Sequence, residues 1–222
     1  MLSSLDSMCK YILTLLILSI FSGCSNSPTE PGLFDGKISV SGFVAKYPAG
    51  NPLIRLTVEY EGCEDTTAYV YINSLSVPYQ PSFGVYEAEI PDAGYSTPME
   101  LLVVSHQESL SLSRTIPGEV SVISPTPTTY HPAGNELVIQ WSRVALVDGS
   151  FIHLRTMWAD TTFTGGTESF VIPGSYFQEA GSATVSVGLF NGEIQQSIND
   201  FGYIGFAAVS WSEEITFNIQ GR

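Results

Sequence analysis

Downstream of its first two dozen residues, this chain carries its apolar residues at alternate positions, and helical periodicity is absent. Ile54, Leu56, Val58 and Tyr60 alternate with Arg55, Thr57 and Glu59, and Tyr86, Ala88 and Ile90 with Glu87 and Glu89. Leu137, Ile139 and Trp141 alternate with Val138 and Gln140; Val185, Val187 and Leu189 with Ser186 and Gly188; Ile215, Phe217 and Ile219 with Thr216 and Asn218. Successive side chains of a strand point to opposite faces, so each segment buries one face and wets the other, as antiparallel sandwich strands do. Turn sequences separate them: Pro48-Ala49-Gly50-Asn51, Glu61-Gly62, Pro91-Asp92-Ala93-Gly94, Asp148-Gly149 and Asn191-Gly192. The reading is an all-β protein.

Two short matches make it a tandem one. Pro48-Ala49-Gly50-Asn51 leads into Leu53-Ile54-Arg55-Leu56, and 84 positions later Pro132-Ala133-Gly134-Asn135 leads into Leu137-Val138-Ile139-Gln140. Independently, Ile90-Pro91 and Val103 are echoed 82 positions on by Ile172-Pro173 and Val185. Two nearly agreeing registers fit two copies of one sandwich unit, over residues 36–117 and 118–222. In the second copy, Val122-Ile123-Ser124-Pro125, then Leu137 to Ser142 with Trp141, then Glu168 to Pro173, and Phe177 and Gly181 before Ala183 to Val187 resemble a fibronectin type III domain. The resemblance implies that Trp141 lies on the second strand and packs between the sheets. It departs from the family at Ala183, near the place of a Tyr whose hydroxyl ties down a corner. The first copy resembles a generic immunoglobulin-like unit.

The amino end is of another kind. Tyr11 to Phe21 is almost wholly apolar, too short for a membrane-crossing helix, and is followed by small residues and Cys24. Met8-Cys9-Lys10 offers the better start, a short positive segment directly before the apolar run. Phe21-Ser22-Gly23-Cys24 resembles a bacterial lipoprotein signal, with Phe21 in place of the usual Leu. That resemblance implies a signal peptide over 1–23, diacylglycerol on the Cys24 sulfur, and attachment to the outer membrane of the cell envelope. The alternative is an ordinary cleaved signal that leaves a free thiol. Residues 24–35, rich in Pro and Ser, read as a tether.

Charge narrows the partners. Cleavage would remove one acid and one base, Asp6 and Lys10, leaving the net charge at −14. An acidic surface repels phosphates, which argues against nucleic acid and against adhesion to an anionic bilayer; the lipid would be the membrane anchor. Cys63 would remain the single thiol besides Cys24, and reads as a buried small hydrophobe with no intrachain disulfide.

Residues that carry chemistry are sparse, and the reading is a non-enzyme without a cofactor. His106, His131 and His153 stand in separate segments without metal-ligand spacing and read as surface residues. Glu61, Glu64 and Asp65, beside Glu59, form an acidic turn that is a weak calcium candidate, and more simply a charged loop end. The segment from Phe190 to Gly205 reads as a long insertion in the second unit, and its Asn199, Phe201 and Tyr203 form a candidate binding loop for a protein or glycan partner. The same residues fit equally well a lid that folds back on the core. Two other functions stay open: a carbohydrate-active hydrolase or its accessory subunit, whose acids meet only in the fold, and a structural subunit lending sheet edges to neighbours.

Overall fold

The computed structural model describes residues 37–142, 144, 147–166, 168–192, 195–196 and 203–221. Cys24, the expected lipidation site, and the loop residues Asn199 and Phe201 lie outside them. Nine strands come first: β1 (Ile38–Lys46), β2 (Leu53–Tyr60), β3 (Cys63–Glu64), β4 (Tyr69–Ile72), β5 (Leu75–Val77), β6 (Tyr79–Gln80), β7 (Val85–Glu89), β8 (Pro98–Ser105) and β9 (Glu108–Thr115). Ten follow: β10 (Val122–Ser124), β11 (Tyr130–Pro132), β12 (Leu137–Trp141), β13 (Gly149–Arg155), β14 (Asp160–Gly165), β15 (Ser169–Ile172), β16 (Gly181–Gly192), β17 (Gln195–Gln196), β18 (Tyr203–Trp211) and β19 (Ile215–Gln220). A single 3-10 turn, Gly174–Tyr176, accompanies them among the described residues.

In the first unit β1-β2-β7-β6 forms one sheet and β5-β4-β8-β9 the other. In the second, β10-β12-β15 faces a sheet in which β16 pairs with β13 on one side and with β18 and β19 on the other. Both orders match the immunoglobulin-type sandwich, with strands A, B and E on one face and C, F and G on the other. The repeated motifs fall on equivalent places. Each Pro-Ala-Gly-Asn turn leads into the second strand, β2 or β12, with Gly50 and Gly134 both at φ 80°. Ile90 and Ile172 close the strands β7 and β15, or directly follow them, and Val103 and Val185 sit on β8 and β16.

Alternation puts the expected residues inside. Ile54, Leu56 and Val58 join Val70, Leu101 and Val103 in a first core, and Ile139, Trp141, Val185, Val187 and Phe217 join Leu154 and Ile172 in a second. Trp141 lies on β12 and is buried, as the fibronectin resemblance implies.

The two units are not separate beads. β18 pairs antiparallel with β16 and, through its other edge, parallel with β1, from Ser41↔Gly205 to Lys46↔Ser210. One sheet therefore runs without a break from β14 through β13, β16, β18 and β1 to β2, β7 and β6. β18 contributes to both sides: Phe206 and Ala208 belong to the first unit's core, while Ala207 and Val209 pack with Phe43, Phe151, Phe190 and Trp211 on the opposite face. This explains two departures from simple alternation. Residues 185–190 of β16 are buried at every position, because both faces of that strand are covered. Asn191-Gly192, expected as a turn, instead continues β16 and pairs with Ala208 and Ala207.

Candidate functional site

The junction between the units forms a cleft of about 900 Å³, bordered by Arg114, Ile116 and Gly118 from the first unit and its linker and by Asp148, Asn191 and Gly192 from the second. β9 points Leu110 and Leu112 toward the first core, and Arg114 continues that row past the edge of the core to β18. There its Nε donates to the Phe206 carbonyl at 3.3 Å, and a terminal nitrogen donates to the Ser113 carbonyl at 2.9 Å. Asn191 Nδ2 donates across the junction to the Thr115 carbonyl at 2.8 Å, and Ser210 Oγ to the Gly118 carbonyl at 3.0 Å. The Gly192 amide donates to Asp148 Oδ2 at 2.7 Å. Gly192 stands at φ +122°, and a Cβ there would meet the Phe206 carbonyl oxygen at 2.5 Å and Arg114 Nε at 2.7 Å. The polar side chains of the cleft thus bind backbone across or beside the junction. They fix the relative placement of the sandwiches rather than aim at a reacting atom.

The acidic turn does not converge. Glu61 pairs with Lys37 at 3.1 Å, and Glu64 accepts from the Tyr79 hydroxyl at 3.1 Å. Asp65 is buried and turned inward: Ser105 Oγ donates to one carboxylate oxygen, while the Thr67 amide and hydroxyl donate to the other at 2.8 and 2.7 Å. Burial pushes the Asp65 carboxyl up, but these hydrogen bonds, helped by nearby His106, outweigh it and hold the group below the usual carboxylate range. The Tyr86 hydroxyl donates to the Asp65 carbonyl at 3.0 Å, and burial followed by the Asp65 charge pushes that phenol up to about 12. Asp65 is therefore a structural anchor between β3 and β8. Among the described residues no three His, Cys, Asp or Glu side chains are grouped to hold a metal ion.

Other expectations need correction. His131 is buried rather than on the surface: its Nε2 lies 2.9 Å from the Asn135 carbonyl and its ring meets Phe177 edge-on at 4.9 Å. His153 pairs with Asp160 at 2.7 Å, while His106 is exposed as expected, its ring tilted against that of Tyr60 at 4.4 Å. Cys63 is half-buried and disulfide-bonded, contrary to the expectation of a lone buried thiol. The inserted segment is shorter as a loop than its sequence suggests. Gln195↔Ile204 and Gln196↔Tyr203 pair as a hairpin, which puts Tyr203 at the start of β18; Asn199 and Phe201 fall in the undescribed stretch between. Sequence reasoning passed over Arg114 and Asp148 as site residues. The available signal was the unbroken apolar or small run from Val185 to Phe190, which marks a strand covered on both faces.

No protein-family model matches the chain, and no curated protein matches it. Among solved structures it is similar to the fibronectin(III)-like modules of Clostridium thermocellum CbhA, at 11% identity and a TM-score of 0.30, over 83% of this chain and 94% of that one. It is also similar to a structure of titin immunoglobulin domains I67–I69, at 7% identity and a TM-score of 0.26, over 83% of this chain and 64% of that one. The strand order and the two cores define the class: an all-β protein of paired antiparallel sandwiches.

Proposed function

We propose that this is a lipid-anchored, non-catalytic protein of the bacterial cell envelope, held at the outer membrane through Cys24, whose fused sandwiches form a stiff arm that binds or spaces a protein or glycan partner. The observation that carries this reading is the sharing of β18 between the two units. A hinge between beads would let the far unit swing, whereas a continuous sheet keeps a surface at a set distance and orientation. The leader resemblance supplies the anchor, and the polar tether of residues 24–35 supplies reach.

The test is the mass of the protein extracted from its own envelope. A polypeptide beginning at Cys24 and carrying thioether-linked diacylglycerol is the expected result. A Cys24 sulfur that is free, or that is held in a disulfide with Cys63, would overturn the address. The same spectrum before and after reduction reads the state of Cys63.

A further inference from the structure

The outer face of the β5-β4-β8-β9 sheet mixes tyrosine, aliphatic and serine side chains with one glutamate. Alternation directs Tyr69 and Tyr71 of β4, Glu100, Leu102 and Val104 of β8, and Ser109, Ser111 and Ser113 of β9 away from the core. The register sets these residues in rows. Ser76, Tyr71, Leu102 and Ser111 lie side by side across four strands, with Tyr69, Val104 and Ser109 as the next row. Same-face neighbours along a strand are about 7 Å apart, and adjacent strands about 4.8 Å apart. Tyr69 is 67% exposed and Leu102 39%.

A shallow groove of about 440 Å³ crosses this face, lined by Tyr71, Ser74, Glu100, Leu101, Leu102 and Ser111. A side-chain clamp ties one end of it to β8. Asn73 sits in the positive-φ turn between β4 and β5, its Oδ1 accepts from the Glu100 amide at 2.8 Å, and its Nδ2 donates to the Pro98 carbonyl at 3.1 Å. That clamp fixes Ser74 beside Glu100, so little order remains to be gained on binding. The Glu100 carboxylate and the Tyr69 and Tyr71 hydroxyls have no ion-pair or hydrogen-bond partner among the described residues.

We propose that this groove binds an uncharged polysaccharide chain. A sugar ring presents an apolar C–H face and a rim of hydroxyls; Tyr71 and Leu102 fit the first, while Ser74, Ser111 and the unpaired carboxylate of Glu100 fit the second. Tyrosine suits a protein interface as well as a sugar face, but the serines and glutamate beside it are depleted from protein interfaces and weigh against a protein partner. A polyanion is disfavoured by the net charge of −14 and by Glu100 itself. The proposal deepens the binding reading above by naming the partner's chemistry and does not depend on the lipid.

The test is native affinity electrophoresis of the full chain in a polyoxyethylene detergent, which carries no sugar to compete. The gels contain hydroxyethyl cellulose, galactomannan or polygalacturonate. Retardation by at least one of the two neutral polymers and none by polygalacturonate is expected. Tyr71→Ala is expected to weaken binding tenfold or more and Glu100→Gln several-fold, while Tyr71→Trp retains it and Trp158→Ala, on the exposed β13–β14 turn of the second unit, leaves it unchanged. Circular dichroism melts of each variant identify any that fail to fold, in which case Tyr71→Trp and Glu100→Gln decide. No retardation by either neutral polymer, or stronger retardation by polygalacturonate, overturns the proposal. Neutral-polymer binding that survives Tyr71→Ala in a folded protein overturns this groove while leaving the broader binding reading intact.

Discussion

The two sandwiches connect the same pair of strands, the sixth and seventh in the immunoglobulin order, in opposite ways. In the first unit β8 turns into β9 through His106-Gln107, both at positive φ, and the pairing runs evenly from Pro98↔Thr115 to Ser105↔Glu108. β8 buries one face and leaves the other wet. In the second unit β16 outruns its own core by several residues, and β18 returns alongside it to meet β1 of the first unit. β18 needs a second partner for its outer edge and its second face, and here the neighbouring unit supplies both: β1 pairs with its backbone, and the first core takes Phe206 and Ala208. Strand overhang, rather than linker composition, decides that these units are joined.

Phe206→Ala attacks that join most strongly. It empties a fully buried aromatic site in the first core from a residue that belongs in sequence to the second unit, and the expected loss is about 3–5 kcal/mol in denaturant unfolding. The contrast with Phe217→Ala, in the second core, sharpens the comparison: the Phe206 variant should loosen β1 and β2 in hydrogen exchange more than the Phe217 variant does. Gly192→Ala should cost about 2–3 kcal/mol, since its backbone is left-handed and its Cβ space is taken by Phe206 and Ala207 backbone. Gly94→Ala, where a Cβ meets nothing within 4 Å, should stay within about 0.5 kcal/mol. Asn191→Ala removes one hydrogen bond across the junction and should cost about 1 kcal/mol by the same measurement.

Two pH-dependent effects belong to the first unit. Because the fold holds the Asp65 carboxyl below its unfolded value of about 3.9, its contribution is present above that pH and disappears as pH falls through the lower folded value. Asp65→Asn should therefore flatten the acid limb of the stability curve below about pH 4. Tyr86 acts at the other end. Its pKa, raised to about 12, leaves stability intact below the unfolded phenol value and erodes it as pH climbs toward 12.

Much of this fold was legible from period two alone, because a strand with one wet face writes its geometry directly into alternation. Ile54, Leu56 and Val58, and Leu137, Ile139 and Trp141, are buried as their spacing requires. The paired Pro-Ala-Gly-Asn turns were legible because a left-handed glycine at a tight corner leaves a local signature. The junction was not legible in the same way. Pairing of β1 with β18 joins residues about 164 positions apart, and no local pattern encodes a partner at that distance. Asn191-Gly192 read as a turn because its composition suits one, and only the opposing strand makes it extended. The acidic turn misled for a related reason: Asp65 is one of four neighbouring acids in sequence, yet Ser105 and Thr67 draw it inward alone.

Hydrogen exchange resolved to β1 and to residues 207–210 of β18 tests the shared strand most directly. With β18 bonded on both edges, the two segments should be protected on both sides and open together, at one free energy close to that of global unfolding. Exchange of the β18-facing amides of β1 at the rate of an unpaired edge, with the β2-facing amides still protected, would contradict it.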